Sequence, residues 1–233
     1  MTLDVEVSAA LAGSAAASAA VPDPEGSVAG LAWRWVVRTD ALDLYATDPV
    51  ASDWRATCLG AGAALHRARV ALAAEGLGPG VTLLPPTGGG HLARLVTTGS
   101  VIVTPHARAL YDAMESVAAG LVARGRAAWR AVTRELVTAA RAEGVRLRVV
   151  QVSGELSGVL HGGDTREAWL RAGAALSAVR LTARCHGLDT AALVGAQQDG
   201  RLPRRGPRRI SDREGWLTVG IGTPYARLRM RPA

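Results

Sequence analysis

The sequence predicts an α+β protein built as two related halves in one chain, and three observations carry that reading. Helix-like and strand-like segments are interspersed without the regular strand–helix alternation of a parallel sheet. Two long alanine-rich helical segments, at about 53–75 and 166–186, resemble each other, with nine of twenty aligned positions identical. A chain of 233 residues, 48% hydrophobic and 20% charged, can also bury a sizeable core without disulfide or metal staples.

Taken in order, residues 1–26 hold a small-residue run at 9–21 that reads as a weak helix or tail. The run is too short and too rich in Ala and Ser to span a bilayer, and its flank is acidic where a secretory leader carries positive charge. Residues 32–39 read as a strand with Trp33 and Trp35 at period two, paired as a hairpin with 42–46 across Thr39-Asp40. A helix follows at 53–75, where Ser52 or Asp53 can cap the start and Gly76 stops the end. Short strands are expected at 81–84 and 92–96, flanking a loop whose triple glycine, Gly88 to Gly90, reads as a turn.

Residues 107–144 read as mostly helical, with breaks near Gly120 and Gly125, followed by strands at 145–152 and 156–160. Asp164-Thr165 then caps the second long helix, at 166–186, and Gly187 ends it. Closing strands are expected at 216–222 and 226–230, after a basic, Pro/Gly-rich loop at 199–213. The halves divide at about 27–98 and 99–233.

The two helices align without gaps. Leu59, Ala61 to Leu65, Arg69, Gly76 and Leu77 are matched by Leu170, Ala172 to Leu176, Arg180, Gly187 and Leu188. Gly62, Ala63, Ala64 and Ala68 in one, and Gly173, Ala174, Ala175 and Ala178 in the other, are small enough to let helix axes approach closely, with Leu65, Leu72 and Leu176 filling the flanks. Two copies packed this way would form a pseudo-dimer within one chain.

Composition excludes several chemistries. There is no Lys, Asn or Phe, hence no phosphate-loop lysine, no Schiff-base lysine and no Cys-His-Asn triad. Cys58 and Cys185 make no disulfide framework or zinc knuckle and suit a reducing cytoplasm. The five histidines show no helical i, i+4 pair, so no metal site is expected. A net charge of +7 would suit a polyanion. The arginines, however, are mostly scattered along helices, and the cluster Arg201, Arg204, Arg205, Arg208 and Arg209 reads as a basic loop rather than a nucleic-acid site.

These pieces together resemble the nitroreductase superfamily, in its Acg-like actinobacterial branch. The matching segments are Ala32-Trp33-Arg34-Trp35 with its hairpin, 60–76, Leu110-Tyr111-Asp112-Ala113, 142–150, 163–176 and Gly220-Ile221-Gly222. The resemblance implies a nitroreductase-like fold with two halves and an FMN site. Trp33, Trp35, Asp164, Thr165, Trp169 and Arg171 are the positions that would line what remains of that site. Read from the residues alone, Trp33 and Trp35 also suit a core strand, and Asp164-Thr165 also suits a helix cap.

The sequence departs from the family where the cofactor would sit. The polar run expected before Trp-x-Trp is replaced by Gly26-Ser27-Val28-Ala29-Gly30-Leu31. The Arg/Thr cluster expected after Leu-Tyr-Asp-Ala is replaced by residues 114–120, which bring Glu115 and no arginine. A dianionic phosphate is held by bidentate arginine or oriented amides, so FMN binding by the family's mode is expected to be weakened or lost. The reading is a divergent member acting as a partner subunit, a ligand-binding protein or an atypical enzyme. Its partners would be a small-molecule ligand or substrate, a protein or a second copy, with no membrane and no nucleic acid. The alternative is an FMN-dependent NAD(P)H oxidoreductase. No catalytic residue is assigned.

Overall fold

Alternating side chains along 33–46 set the first sheet. A computed structural model describes residues 10, 12–13, 32–48, 53–86, 88–115, 126–152, 155–193 and 214–222. Strands β1 (Trp33–Val37) and β2 (Ala41–Ala46) form the expected hairpin, with Trp35 opposite Leu44 and Val36 opposite Asp43. Trp33, Leu42 and Leu44 are buried on one face. Helix α1 (Trp54–Ala74) follows, then β3 (Leu77–Leu83) and β4 (His91–Ser100). The four strands form one antiparallel sheet in the order β1-β2-β4-β3.

Two helices, α2 (Pro105–Glu115) and α3 (Arg126–Ala142), lead to a second passage of the same kind. Strands β5 (Arg146–Val152) and β6 (Glu155–Gly163) form a hairpin, helix α4 (Arg166–Cys185) crosses over, and β7 (Asp189–Leu193) pairs with β8 (Glu214–Gly222). The order of this antiparallel sheet is β5-β6-β8-β7. Each passage is therefore strand–strand–helix–strand–strand, with its last strand paired to its second. The architecture is α+β.

Local chemistry sets the helix boundaries. Asp53 caps α1, its carboxylate accepting from the Ala56 amide at 3.0 Å. Thr165 caps α4, its hydroxyl accepting from Ala168 N at 3.1 Å. At the other end of α4, Gly187 has φ +68, and the amides of Gly187 and Leu188 bond back to Arg184 O and Ala183 O at 2.8 and 3.0 Å. That pair of bonds closes the helix only if the residue after it is left-handed, which glycine allows at no steric cost. Buried Leu188 completes the stop.

Helices α1 and α4 meet along their glycine-alanine faces. A Cβ added at Gly62 would lie 1.9 Å from Leu170 O, and one added at Gly173 would lie 1.9 Å from Leu59 O. One turn on, His66 Nδ1 is 3.1 Å from Ser177 Oγ. Contacts advance in the same direction along both helices, so the two run in parallel sense with residue i against residue i+111. Only glycine permits backbone to touch backbone this closely, a geometry that also brings Cα–H groups onto carbonyl oxygens. Leu65, Leu72 and Leu176 are buried beside the contact. The main core runs continuously from Trp33, Leu42 and Leu95 through this helix pair to Val132, Leu136, Leu147 and Leu160.

Helix α2 ties the far ends together. Arg108 Nη2 donates to Ala74 O at 3.1 Å at the end of α1, and Arg184 Nη1 of α4 donates to Ala113 O at 3.3 Å. Leu110, Ala113 and Met114 pack between Val70, Ala71 and Leu181.

The structure corrects several sequence expectations. Strand β7 was not expected, and β3 begins at Leu77 rather than 81 because Pro79 sits on an edge strand, where a missing N–H is tolerated. The stretch expected at 107–144 is helical at Pro105–Glu115 and Arg126–Ala142, and its expected breaks near Gly120 and Gly125 fall at residues outside those described. The cap of α4 is Thr165 alone, since Asp164 is used otherwise. The expected tail at 1–26 (apart from residues 10, 12 and 13), the segments 26–31 and 116–125, the basic loop 199–213 and the strand at 226–230 lie outside the described residues.

Candidate functional site

The parallel arrangement of α1 and α4 places their N-terminal ends side by side, and there the structure brings together part of the sequence-predicted site. Arg55, in the first turn of α1, reaches Asp164 just before α4. Its Nε donates to Oδ1 at 2.8 Å and its Nη2 to Oδ2 at 2.5 Å. Trp169, one turn into α4, donates its indole Nε1–H to the same Oδ1 at 2.9 Å. The Arg55 guanidinium also lies 5.0 Å over the Trp54 ring. Arg55 first and Trp169 second hold the Asp164 carboxyl down to about 2, so it is a permanent anion at neutral pH.

The remaining predicted residues are placed separately. Trp33 is buried and Trp35 half-buried on the core face of β1, with ring centroids 6.4 Å apart at 75°. Trp33 packs its indole edge over Gly60 of α1, where an added Cβ would lie 3.1 Å from Nε1. Thr165 spends its hydroxyl on the helix cap. Arg171 pairs with Glu167 one turn earlier, at 2.8 Å from Nη2, and its chain covers Gly144 at the end of α3. Measured against a dianionic phosphate, Arg55 and Arg171 at this end are each offset by a carboxylate, Asp164 and Glu167, and the Thr165 hydroxyl is taken by an amide. Asp164 itself adds negative charge.

The two cysteines occupy opposite ends of the parallel pair and are both free. Cys58 is buried, and burial pushes its thiol up to about 11. Cys185 is exposed and donates to Ala109 O at 3.4 Å. Among the described residues, no group of three or more His, Cys, Asp or Glu could hold a metal ion. No helix among them is long and apolar enough to cross a membrane.

A second polar centre lies on the face of the first sheet turned away from the helices, and the sequence reading missed it. Asp43 is fully buried there. Arg94, its cross-strand partner, donates from Nε to Oδ1 at 2.7 Å and from Nη2 to Oδ2 at 3.0 Å. Arg38 donates to Oδ2 from the hairpin turn, and His91 Nε2 lies 3.1 Å from Oδ1. His91 Nε2 is also 3.0 Å from Ala93 O, so with acceptors on both sides this nitrogen carries the proton. Tyr45 stacks on His91 with centroids 4.4 Å apart, and Arg34 covers Tyr45 at 5.5 Å. Arg94 is the main cause that holds Asp43 down to about 2, against the opposing effect of burial, with Arg38 assisting. The available signal was the alternation Arg34-Val36-Arg38 and Asp43-Tyr45, which assigns these residues to one face.

No protein-family model matches this chain, and no curated protein matches it either.

Proposed function

We propose that the chain is a divergent nitroreductase-like pseudo-dimer that works without a tightly held flavin, as a ligand-binding protein or partner subunit. The observation that carries this reading is the Arg55–Asp164–Trp169 clamp. It engages Asp164 and Trp169, two of the positions that the resemblance assigns to the FMN site, in contacts within the chain. The repeated strand–strand–helix–strand–strand passage, packed through Gly62 and Gly173, supports the duplicated architecture.

The alternative, an FMN-dependent NAD(P)H oxidoreductase, draws on the same architecture. There the flavin would supply the hydride chemistry, and the chain would supply orientation and charge. Absorbance of the purified protein between 350 and 500 nm, followed by titration with FMN, separates the two. A colourless protein with no saturable uptake is the expected result. A yellow preparation, or FMN binding at micromolar concentration, would reject the flavin-free reading.

A further inference from the structure

The outer face of the first sheet carries more guanidinium than Asp43 consumes. Arg34, Tyr45 and His91 form one row across β1, β2 and β4; Val36, Asp43 and Arg94 form the next. Arg38, in the hairpin turn, reaches back to the same carboxylate. Arg94 applies Nε and Nη2 to Asp43, and Arg38 applies Nε. A guanidinium has five N–H donors in a rigid fork, so both retain donors that the carboxylate does not use. The side chains of Arg38 and Arg94 are 48% and 40% exposed, whereas that of Asp43 is 0% exposed.

This is the arrangement of a buried carboxylate fixing two guanidinium planes from beneath. Arg34 is oriented by the face of Tyr45, and Arg38 also bonds to the Tyr45 side chain. Among the described residues, the acids that act on Arg94 are Asp43 itself and Asp40 in the turn. Three guanidinium groups against two carboxylates leave net positive charge, presented by oriented donors.

We propose that this face binds a phosphoryl group, inorganic or at the end of a phosphate monoester, held by Arg34, Arg38 and Arg94 with Asp43 as the positioning residue. Arginine matches phosphate oxygens in bidentate geometry, and three forks suit the non-bridging oxygens of a monoester. The site lies on the opposite side of the sheet from α1 and does not depend on the flavin reading.

Calorimetric titration of the full chain with inorganic phosphate and with phenyl phosphate, in chloride at constant ionic strength, tests this. Saturable one-to-one uptake is expected. Arg34→Gln should weaken it about tenfold, the loss of one charge-assisted contact, with circular dichroism and melting temperature unchanged. Arg38→Gln should weaken it by a similar factor with circular dichroism unchanged but a lower melting temperature, because it also removes a donor from buried Asp43. Replacing Arg204, Arg205, Arg208 and Arg209 together by Gln should leave it unaltered. Equal affinity for the two probes supports the site with free phosphate as its ligand; tighter phenyl phosphate supports it with a monoester. Absence of saturable uptake, or uptake that follows the loop arginines and ignores Arg34 and Arg38, would overturn the proposal.

Discussion

His66 Nδ1 and Ser177 Oγ lie 3.1 Å apart in the buried contact between α1 and α4, at equivalent positions of the two helices. The pair is a polar contact one turn beyond the small-residue crossing at Gly62 and Gly173. Its hydrogen bond rewards one alignment of the helices and penalises slippage, which would bury both groups without a partner.

His66 makes stability depend on pH. Burial first, and Arg69 and Arg67 second, push its imidazole from 6.5 down to about 3. The native state then binds fewer protons than the unfolded chain between these values. The stabilisation is complete above about 6.5, declines as pH falls through that value, and levels off near 3. Urea unfolding at pH 7, 6, 5 and 4 should show this loss, with His66 contributing up to about 1.4 kcal/mol per pH unit. In His66→Gln, which keeps a hydrogen-bonding group, the slope between pH 6 and 4 should shrink.

Asp43 governs the more acidic range. Its carboxyl is held at about 2, below its ordinary 3.8. Its stabilisation is therefore present above about 3.8 and is lost as pH falls toward 2. Asp43→Asn should cost about 2–3 kcal/mol at pH 7. That is below the cost of breaking a fully buried pair, because Arg38 and Arg94 are exposed enough to rehydrate. Chemical unfolding at pH 7 and pH 3 checks both points, since the variant should lose less than the wild type on acidification.

The clamp at the helix ends should separate into two parts by salt. Arg55 and Asp164 are 45% and 37% exposed, so their ion pair is worth about 1 kcal/mol or less and weakens as salt rises. Trp169 is 9% exposed, and its indole N–H loses its carboxylate partner in Asp164→Ala. Arg55→Ala should therefore cost little and become neutral at 1 M sodium chloride. Asp164→Ala should cost more and keep its cost in salt. Denaturation curves at both ionic strengths measure the difference.

Some elements were legible in the sequence because one residue type determines them. Gly76 and Gly187 end the long helices with positive φ, and Trp33-x-Trp35 marks a strand by its period. Strand β7 was not legible, because Asp-Thr-Ala-Ala-Leu has no alternation and Thr190 is its only β-branched residue. Its strand state comes from pairing with β8, whose Val219 and Ile221 lie opposite Ala192 and Thr190. Arg55 was missed as a site residue because its partner lies 109 positions away, on the other half. The polar face around Asp43 was missed for a related reason. Only the register, with Asp43 opposite Arg94 and Tyr45 opposite His91, turns separate surface-type residues into one network.

The most direct measurement of the whole account is the sign of a glycine-to-alanine change at the helix contact. In an exposed helix interior, alanine in place of glycine stabilises by about 1 kcal/mol. At Gly62 and Gly173 the new methyl would meet a carbonyl oxygen of the facing helix at 1.9 Å, which backbone cannot yield cheaply. Gly62→Ala and Gly173→Ala should each destabilise by about 1–3 kcal/mol. The double variant should cost less than the sum, because helices pushed apart at one glycine leave room at the other. Gly60→Ala, whose new methyl would meet the Trp33 side chain at 3.1 Å rather than the backbone of the facing helix, serves as the comparison and should destabilise less than either. Single variants at 62 and 173 that are neutral or more stable than the wild type would contradict the paired-helix architecture.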